Sequence, residues 1–300
     1  MENLLFLAHR IPYPPDKGDK IRSWNILRYL ARSYRIHLGA FVDDPRDLRY
    51  QDKLASMCAS ICLLPLQPKV GRLRSLSGLG RKIPLSIPYY HDRRMQQWVN
   101  TRLEQDKLKR IFVFSSPVAQ YVMNSQATAC RRVIDFVDVD SDKWGQYAQH
   151  KRWPLSWLYR REAECLLAFE KKVATSFDAS IFVSSAEADL FKRLLPEVSG
   201  RVGFLDNGVD RDYFSPERDY DNPYDEQARV IVFTGVMDYW ANVHAVQWFA
   251  LHVFPRIRET VPSARFVIVG ARPAGEVRRL ASAPGVEVTG AVPDVRPYLA

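Results

Sequence analysis

The chain has 300 residues and a formal net charge of +9 at pH 7. Its composition is that of an ordinary globular protein, which excludes disordered and fibrous classes, and its length allows one large or two medium domains. No run of about twenty apolar residues could span a bilayer. Leu4 to Ala8, preceded by Glu2 rather than by basic residues, is too short for a secretory signal. A cytoplasmic location is therefore expected.

The first predicted element is a buried strand at 3–8, followed by a loop from His9 to Asp19 and a helix at 19–33 with Ile21, Trp24, Leu27, Leu30 and Ala31 on its apolar face. Further short strands, rich in Val, Ile, Leu and Phe, are expected at 36–42, 60–64, 110–114, 132–137, 180–183 and 202–205. Helical patterns fall at 47–57, 92–106, 117–124, 156–177 and 185–194. Such alternation predicts a parallel sheet with helices on both faces. Residues 206–228, with Asp206-Asn207-Gly208 and Asp221-Asn222-Pro223, read as a linker between domains. Alternation then restarts with strands at 229–234, 265–269 and 286–289 and helices at 242–260 and 273–282. The expected organisation is thus α/β, with an N-terminal domain at 1–205, a linker at 206–228 and the start of a second parallel domain at 229–300. About seventy residues are few for a doubly wound domain, so the second domain is expected to continue beyond Ala300.

The basic excess is uneven. Between Lys69 and Arg110 basic residues, among them Arg81 and Lys82, far outnumber Asp92, Glu104 and Asp106, and they alternate with Leu73, Leu76, Leu79, Tyr89 and Trp98. That mixture suits an anionic membrane surface, or equally a solvated face with an ordinary core side. No recognised motif for nucleic acid accompanies it. Trp144, Trp153 and Trp157, interleaved with Lys151, Arg152, Arg160 and Arg161, suit a membrane interface in the same way. Cys58, Cys62, Cys130 and Cys165 lack the spacing of a zinc site and read as buried reduced thiols.

Three segments could carry chemistry. In the first loop, Gly18 and Asp19, flanked by Lys17 and Lys20, open a helix whose free N–H groups could hold an anion; a plain turn with an N-cap would use the same residues. The pattern is not G-x-G-x-x-G, which argues against a dinucleotide cofactor. The acidic run Asp135, Asp138, Asp140 and Asp142 follows a strand, at the end where parallel sheets bind ligands. Continued strand alternation would put Asp138 and Asp140 on one side, whereas Asp140, Ser141 and Asp142 could equally start a helix. In the second domain, Gly235 ends a strand and Asn242 could cap the next helix. Gly270 stands at a second strand end.

Arg10 to Pro15 with Lys17-Gly18-Asp19-Lys20, the Asp135 to Trp144 stretch, Val183-Ser184-Ser185, Asn207-Gly208-Val209-Asp210 and Thr234-Gly235-Val236-Met237 with Asn242 together resemble the GT-B glycosyltransferases of family four (group 1). The chain is most similar to sugar transferases associated with PEP-CTERM/exosortase exopolysaccharide loci in Gram-negative bacteria. The resemblance implies two Rossmann-like domains facing across a cleft and transfer from a nucleotide-sugar co-substrate, with no cofactor or metal and with retained anomeric configuration. It further implies a lipid-linked saccharide acceptor at the cytoplasmic face of the inner membrane. On this basis Gly18, Asp19, Gly235 and Asn242 lie on the donor side, and Asp138 stands near the transferred sugar as the catalytic carboxylate. Lys17, Arg81, Lys82, Trp144 and Trp157 lie on the acceptor or membrane side. Two departures stand out: the loop from Val236 to Val243 lacks the arginine and lysine that relatives place on the diphosphate, and the glutamate-rich donor motif would fall beyond residue 300. A non-catalytic, membrane-associated scaffold of the same fold is the alternative.

Overall fold

The computed structural model describes every residue except 107, 124–128, 216 and 226. Residue 107 of the basic stretch, the last position of the helix expected at 117–124, and residues 216 and 226 of the expected linker lie outside the described residues. The chain divides into two compact units, Met1–Gly208 and Val209–Ala300.

The first unit is built on seven parallel strands: β1 (Glu2–Ala8), β2 (Tyr34–Val42), β3 (Ser60–Pro65), β4 (Arg110–Phe114), β5 (Arg131–Val137), β6 (Ala179–Phe182) and β7 (Val202–Phe204). Their spatial order is β3-β2-β1-β4-β5-β6-β7, so the winding reverses between β1 and β4. Strand β1 shows why its sequence is apolar at every position from Leu4 to Ala8. Leu5 and Leu7 enter one core with Ile111, Val113 and Tyr121, while Leu4, Phe6 and Ala8 enter another with Trp24, Leu27, Ile36 and Leu38. A sheet covered on both faces leaves no polar side for alternation to mark.

The helix Gly18–Leu30 departs from its predicted face: Ile21 is exposed, while Lys20, Arg22 and Ser23 are buried beside Trp24 and Leu27. Lys20 is neutralised by Asp47 at 2.6 Å and Asp16 at 3.3 Å. The helix expected at 47–57 is a 3-10 turn, Pro45–Tyr50, running into a short helix, Gln51–Ala55. A helix not foreseen covers Pro68–Arg81, a further one spans Asp140–Gln149, and the longest, Leu155–Ser176, matches expectation closely.

The second unit holds β8 (Arg229–Thr234), β9 (Ala264–Val269) and β10 (Val286–Gly290), parallel and in the order β10-β9-β8. The helical stretch from Trp240 to Thr260 contains a π turn at Phe249–Val253, and Met237, Val246, Phe254, Phe266 and Ile268 form the core beneath it. Among the described residues no helix is long and apolar enough to cross a membrane. The four cysteines are free; burial pushes the Cys58 thiol up to about 12 and the Cys62 thiol up to about 11, so both stay un-ionised.

Candidate functional site

In a doubly wound sheet the crevice opens at the carboxyl ends of the strands where the winding reverses. Here that point lies between β1 and β4, and the loops after β1, β2, β4 and β5 gather around it. Two neighbouring strands end there on non-glycine residues with left-handed backbones: Ser115 after β4 (φ +76°) and Val137 at the end of β5 (φ +72°). Such a conformation costs on the order of 1–3 kcal/mol each and is worst for a β-branched residue. It is held by Ser115 N–H donating to the Asp135 carbonyl at 2.8 Å and Val137 N–H donating to Asp135 Oδ1 at 3.0 Å. A register shift between Asp135 and Val137 accompanies the turn. Strand alternation therefore stops before the acidic run. Asp138 lies in the turn and Asp140 starts a helix, so the expected pairing of their side chains by strand geometry does not occur.

Below that turn, Asp135 is fully buried and receives Arg22 Nε at 2.8 Å. The same guanidinium donates to the Leu205 carbonyl at 2.6 Å and to Asn207 Oδ1 at 2.9 Å. One cation thus fixes the helix after β1 to β5 and to the chain following β7.

On the β1 side, the Arg10 guanidinium is held between Asp19 and Asp43, with Nε 2.9 Å from the Asp43 carboxylate. His9 Nε2 lies 3.4 Å from Asp19 Oδ2, its ring stacked on Phe114 and edge-on to Tyr90. Burial pushes the Asp19 carboxyl up, but hydrogen bonding from His9 and the charge of Arg10 outweigh it and hold the group well below the usual carboxylate range. Burial pushes the Tyr90 phenol up to about 12, so it stays protonated. Lys17 Nζ reaches Asp43 at 3.2 Å. In front of Gly18 the space is open: a Cβ placed there meets nothing within 4 Å.

On the β5 side, Asp138 is 44% exposed, with Lys143 Nζ at 3.7 Å. Burial pushes the Asp140 carboxyl above the usual range, and Asp138 adds to the push, while Lys143 and His9 oppose it. His9, in contact with Asp19, thus also bears electrostatically on Asp140. The start of the Asp140–Gln149 helix is clamped from behind: Ser141 donates through both N–H and Oγ to the buried Glu170, and Val139 N–H donates to Glu187 at 2.7 Å. Burial, with Asp140 adding to it, pushes Glu170 up to about 7 against the hydrogen bonds from Ser141.

A cavity of about 240 Å³ adjoins this side, lined by Ser86, Tyr89, Asp140, Trp144, Glu162 and Leu166 among others. Trp144 packs edge-on to Tyr159, at 5.0 Å between ring centres, and lines this cavity, whereas Trp157 is exposed on the adjoining helix. Arg81 and Lys82 close the Pro68–Arg81 helix, Lys82 in the left-handed conformation. Within the first unit, Lys17 and Asp138 lie in the loops after β1 and β5, and Gly18, Asp19 and Trp144 in the helices that those loops enter. Arg81, Lys82 and Trp157 belong to a different surface.

In the second unit Gly235 N–H donates to the Val269 carbonyl at 3.1 Å. Asn242 is the third residue of its helix, not the residue before it; its side-chain amide donates to the Val236 carbonyl at 3.0 Å and closes the turn. The cap expected of Asn242 is therefore absent, because the helix begins two residues early. Gly270 is required by close approach: a Cβ there would lie 1.6 Å from the Gly235 carbonyl oxygen. Arg272, after β9, reaches Asp238 in the loop after β8 at 2.7 Å. It thus stands beside the Val236–Val243 loop, a pairing across 34 residues that chain order conceals. His9 also escaped the sequence reading, although its place directly after the first strand was the available signal. No cluster of His, Cys, Asp or Glu suited to a metal ion occurs among the described residues.

Residues 228–300 match a family model described as glycosyl transferases group 1. No match is found among curated proteins. Several solved structures share the fold across the chain. An E. coli trehalose-6-phosphate structure bound with UDP-2-fluoro glucose gives a TM-score of 0.58 at 10% identity, covering 99% of this chain and 75% of that one. A glycosyltransferase from Rickettsia africae gives 0.55 at 9% identity, with 99% and 70% covered. The α,α-trehalose 6-phosphate synthase from Burkholderia multivorans gives 0.53 at 13% identity, with 100% and 75% covered. The fold is thus α/β of the GT-B glycosyltransferase kind. The neighbours show the fold alone; the family match over residues 228–300 supports a glycosyltransferase-type function.

Proposed function

We propose that this protein transfers a sugar from a nucleotide-sugar donor to a saccharide acceptor. The observation that carries the reading is the group 1 glycosyltransferase match over residues 228–300. The strained, acid-bearing strand ends of the first unit support it, since backbone strain concentrates where a site needs fixed geometry. In this reading the open approach to Gly18 admits the donor phosphates, and Gly235 and Asn242 shape the donor loop of the second unit. Asp138 orients the transferred sugar or holds a proton in transfer. Rate enhancement would come from positioning and from stabilising the leaving diphosphate, with the anomeric configuration retained and no metal required.

The acceptor in this reading is a lipid-linked saccharide met at the cytoplasmic face of the inner membrane, as in exopolysaccharide assembly of the PEP-CTERM type. The cavity beside Asp140 and Trp144 supports an acceptor on this side: its volume suits one sugar ring, and it offers an aromatic wall and carboxylates. The direct test is release of nucleoside diphosphate from a panel of common nucleotide sugars by the full-length protein, with and without saccharide acceptors. Release that depends on Asp138 supports the proposal; no turnover with any donor or acceptor sinks it.

A further inference from the structure

The helix Pro68–Arg81 is inside out. Its buried face consists of Gly71, Ser75 and Gly78, while the opposite face presents Leu73 (70% exposed) and Leu76 (58%) to solvent, with Val70 and Leu79 exposed at the flanks. Rotation cannot bury the leucines. A Cβ at position 71 would fall 2.7 Å from the Tyr89 ring, and one at 78 would fall 3.3 Å from the Ile83 carbonyl oxygen. Only the small residues fit inward. Ser75 Oγ donates to the Leu85 carbonyl at 2.9 Å, and Arg161 donates to the Gly78 and Ile83 carbonyls, so the helix is tethered in this orientation.

The leucines stand in a wholly cationic setting. Residues 68–82 include Lys69, Arg72, Arg74, Arg81 and Lys82 and no Asp or Glu. Among the described residues no carboxylate forms an ion pair with Lys69, Arg72, Arg81 or Lys82. The surface continues across the Arg161 tether. Trp157 (58% exposed) lies one turn before Arg161, and Trp153 (80%) and Leu155 precede it, beside Lys151, Arg152 and Arg160.

We propose that this surface docks on an anionic phospholipid bilayer, with Leu73, Leu76, Trp153 and Trp157 entering the interface and the lysines and arginines meeting lipid phosphates. Exposed large apolar side chains framed by uncompensated cations match the two components of interfacial binding, acyl-chain burial and attraction to anionic headgroups. Lys and Arg can extend their apolar stems alongside the leucines while keeping their charges at headgroup level. An acidic protein surface would satisfy the cations but offers no low-dielectric phase for indole and leucine side chains. The inference specifies the membrane side of the preceding reading, yet it needs no sugar transfer, and the two fail separately.

The test is co-sedimentation of the full chain with vesicles of phosphatidylglycerol and phosphatidylcholine, against phosphatidylcholine alone. Binding is expected with the anionic vesicles and is reversed by raising salt from about 0.1 to 1 M. Leu73→Ser with Leu76→Ser should weaken it at least tenfold, and Lys69→Gln with Arg72→Gln roughly 30-fold, with the thermal midpoint unchanged in both. Binding indifferent to lipid charge, or unchanged in the leucine variant, overturns the proposal. So does a wild-type dimer that the leucine variant converts to monomer without vesicle binding, which would make the face an interface between copies. Transfer to a soluble acceptor, measured alongside, reports the catalytic reading independently.

Discussion

Arg22 and Asp135 form a buried ion pair, Nε to Oδ2 at 2.8 Å, across 113 residues of chain. Neither group is solvated, and the remaining guanidinium donors are taken up by the Leu205 and Phe182 carbonyls and by Asn207. Removing one partner leaves a buried charge uncompensated. Arg22→Leu should therefore cost about 3–5 kcal/mol, read as a fall in the urea midpoint. Arg22→Lys recovers only part of the loss, because an ammonium cannot reproduce the fork that engages all four acceptors. A variant as stable as the wild type would show that the pair contributes nothing.

Glu170 predicts a distinct pH dependence. Its carboxyl is raised from about 4.5 to about 7 in the folded chain, by burial first and by Asp140 second. Below pH 4.5 both folded and unfolded states carry the proton and nothing is lost. As pH rises toward 7 the unfolded state releases it while the folded state retains it, so stability declines, by at most about 3 kcal/mol. Glu170→Gln, which can still accept from Ser141, should remove that decline. Denaturant titrations at pH 5 and pH 7.5 make the measurement; equal pH slopes in the two proteins would refute the assignment.

Asp138 should separate chemistry from folding. It is half-exposed and its nearest cation is 3.7 Å away, so Asp138→Asn should alter stability by no more than about 0.5 kcal/mol. If its carboxylate acts on the transferred sugar, kcat should fall about 10²- to 10⁴-fold. An unchanged kcat removes Asp138 from the catalytic role.

At Gly18 the expectation is again loss of activity without loss of fold. No neighbour lies within 4 Å of an added Cβ. Gly18→Leu should fold as the wild type does and fill the space proposed for the donor phosphates, raising KM for the nucleotide sugar at least tenfold. A parallel Gly270→Ala exchange provides the contrast, since it would place a carbon 1.6 Å from the Gly235 carbonyl oxygen and unfold the second unit. Circular dichroism and thermal melts distinguish the two cases.

The central strands were legible because they carry short apolar runs buried on both faces, as Leu4 to Ala8 shows. The helix at 185–194 was legible for a different reason: Ser184 caps it, accepting from Glu187 N–H at 3.3 Å. Helix Pro68–Arg81 was not, because its inward face is glycine and serine and its leucines point out, the reverse of the pattern that periodicity detects. At the site, the acidic run after β5 was visible, but the left-handed turn at Val137 that aims it was not. That conformation is imposed by Asp135 and by hydrogen bonds to neighbouring strands. The burial of Arg22 was equally hidden, since its partners come from three separate strand ends.

The inverted Pro68–Arg81 helix also dictates which changes evolution can accept along it. In an ordinary amphipathic segment the bulky positions are the intolerant ones and the small, outward ones drift. Here a survey of viable substitutions should read backwards: positions 71 and 78 frozen as the smallest residue, positions 73 and 76 free to vary whenever folding alone is selected, and constrained only when the cell demands whatever lies outside.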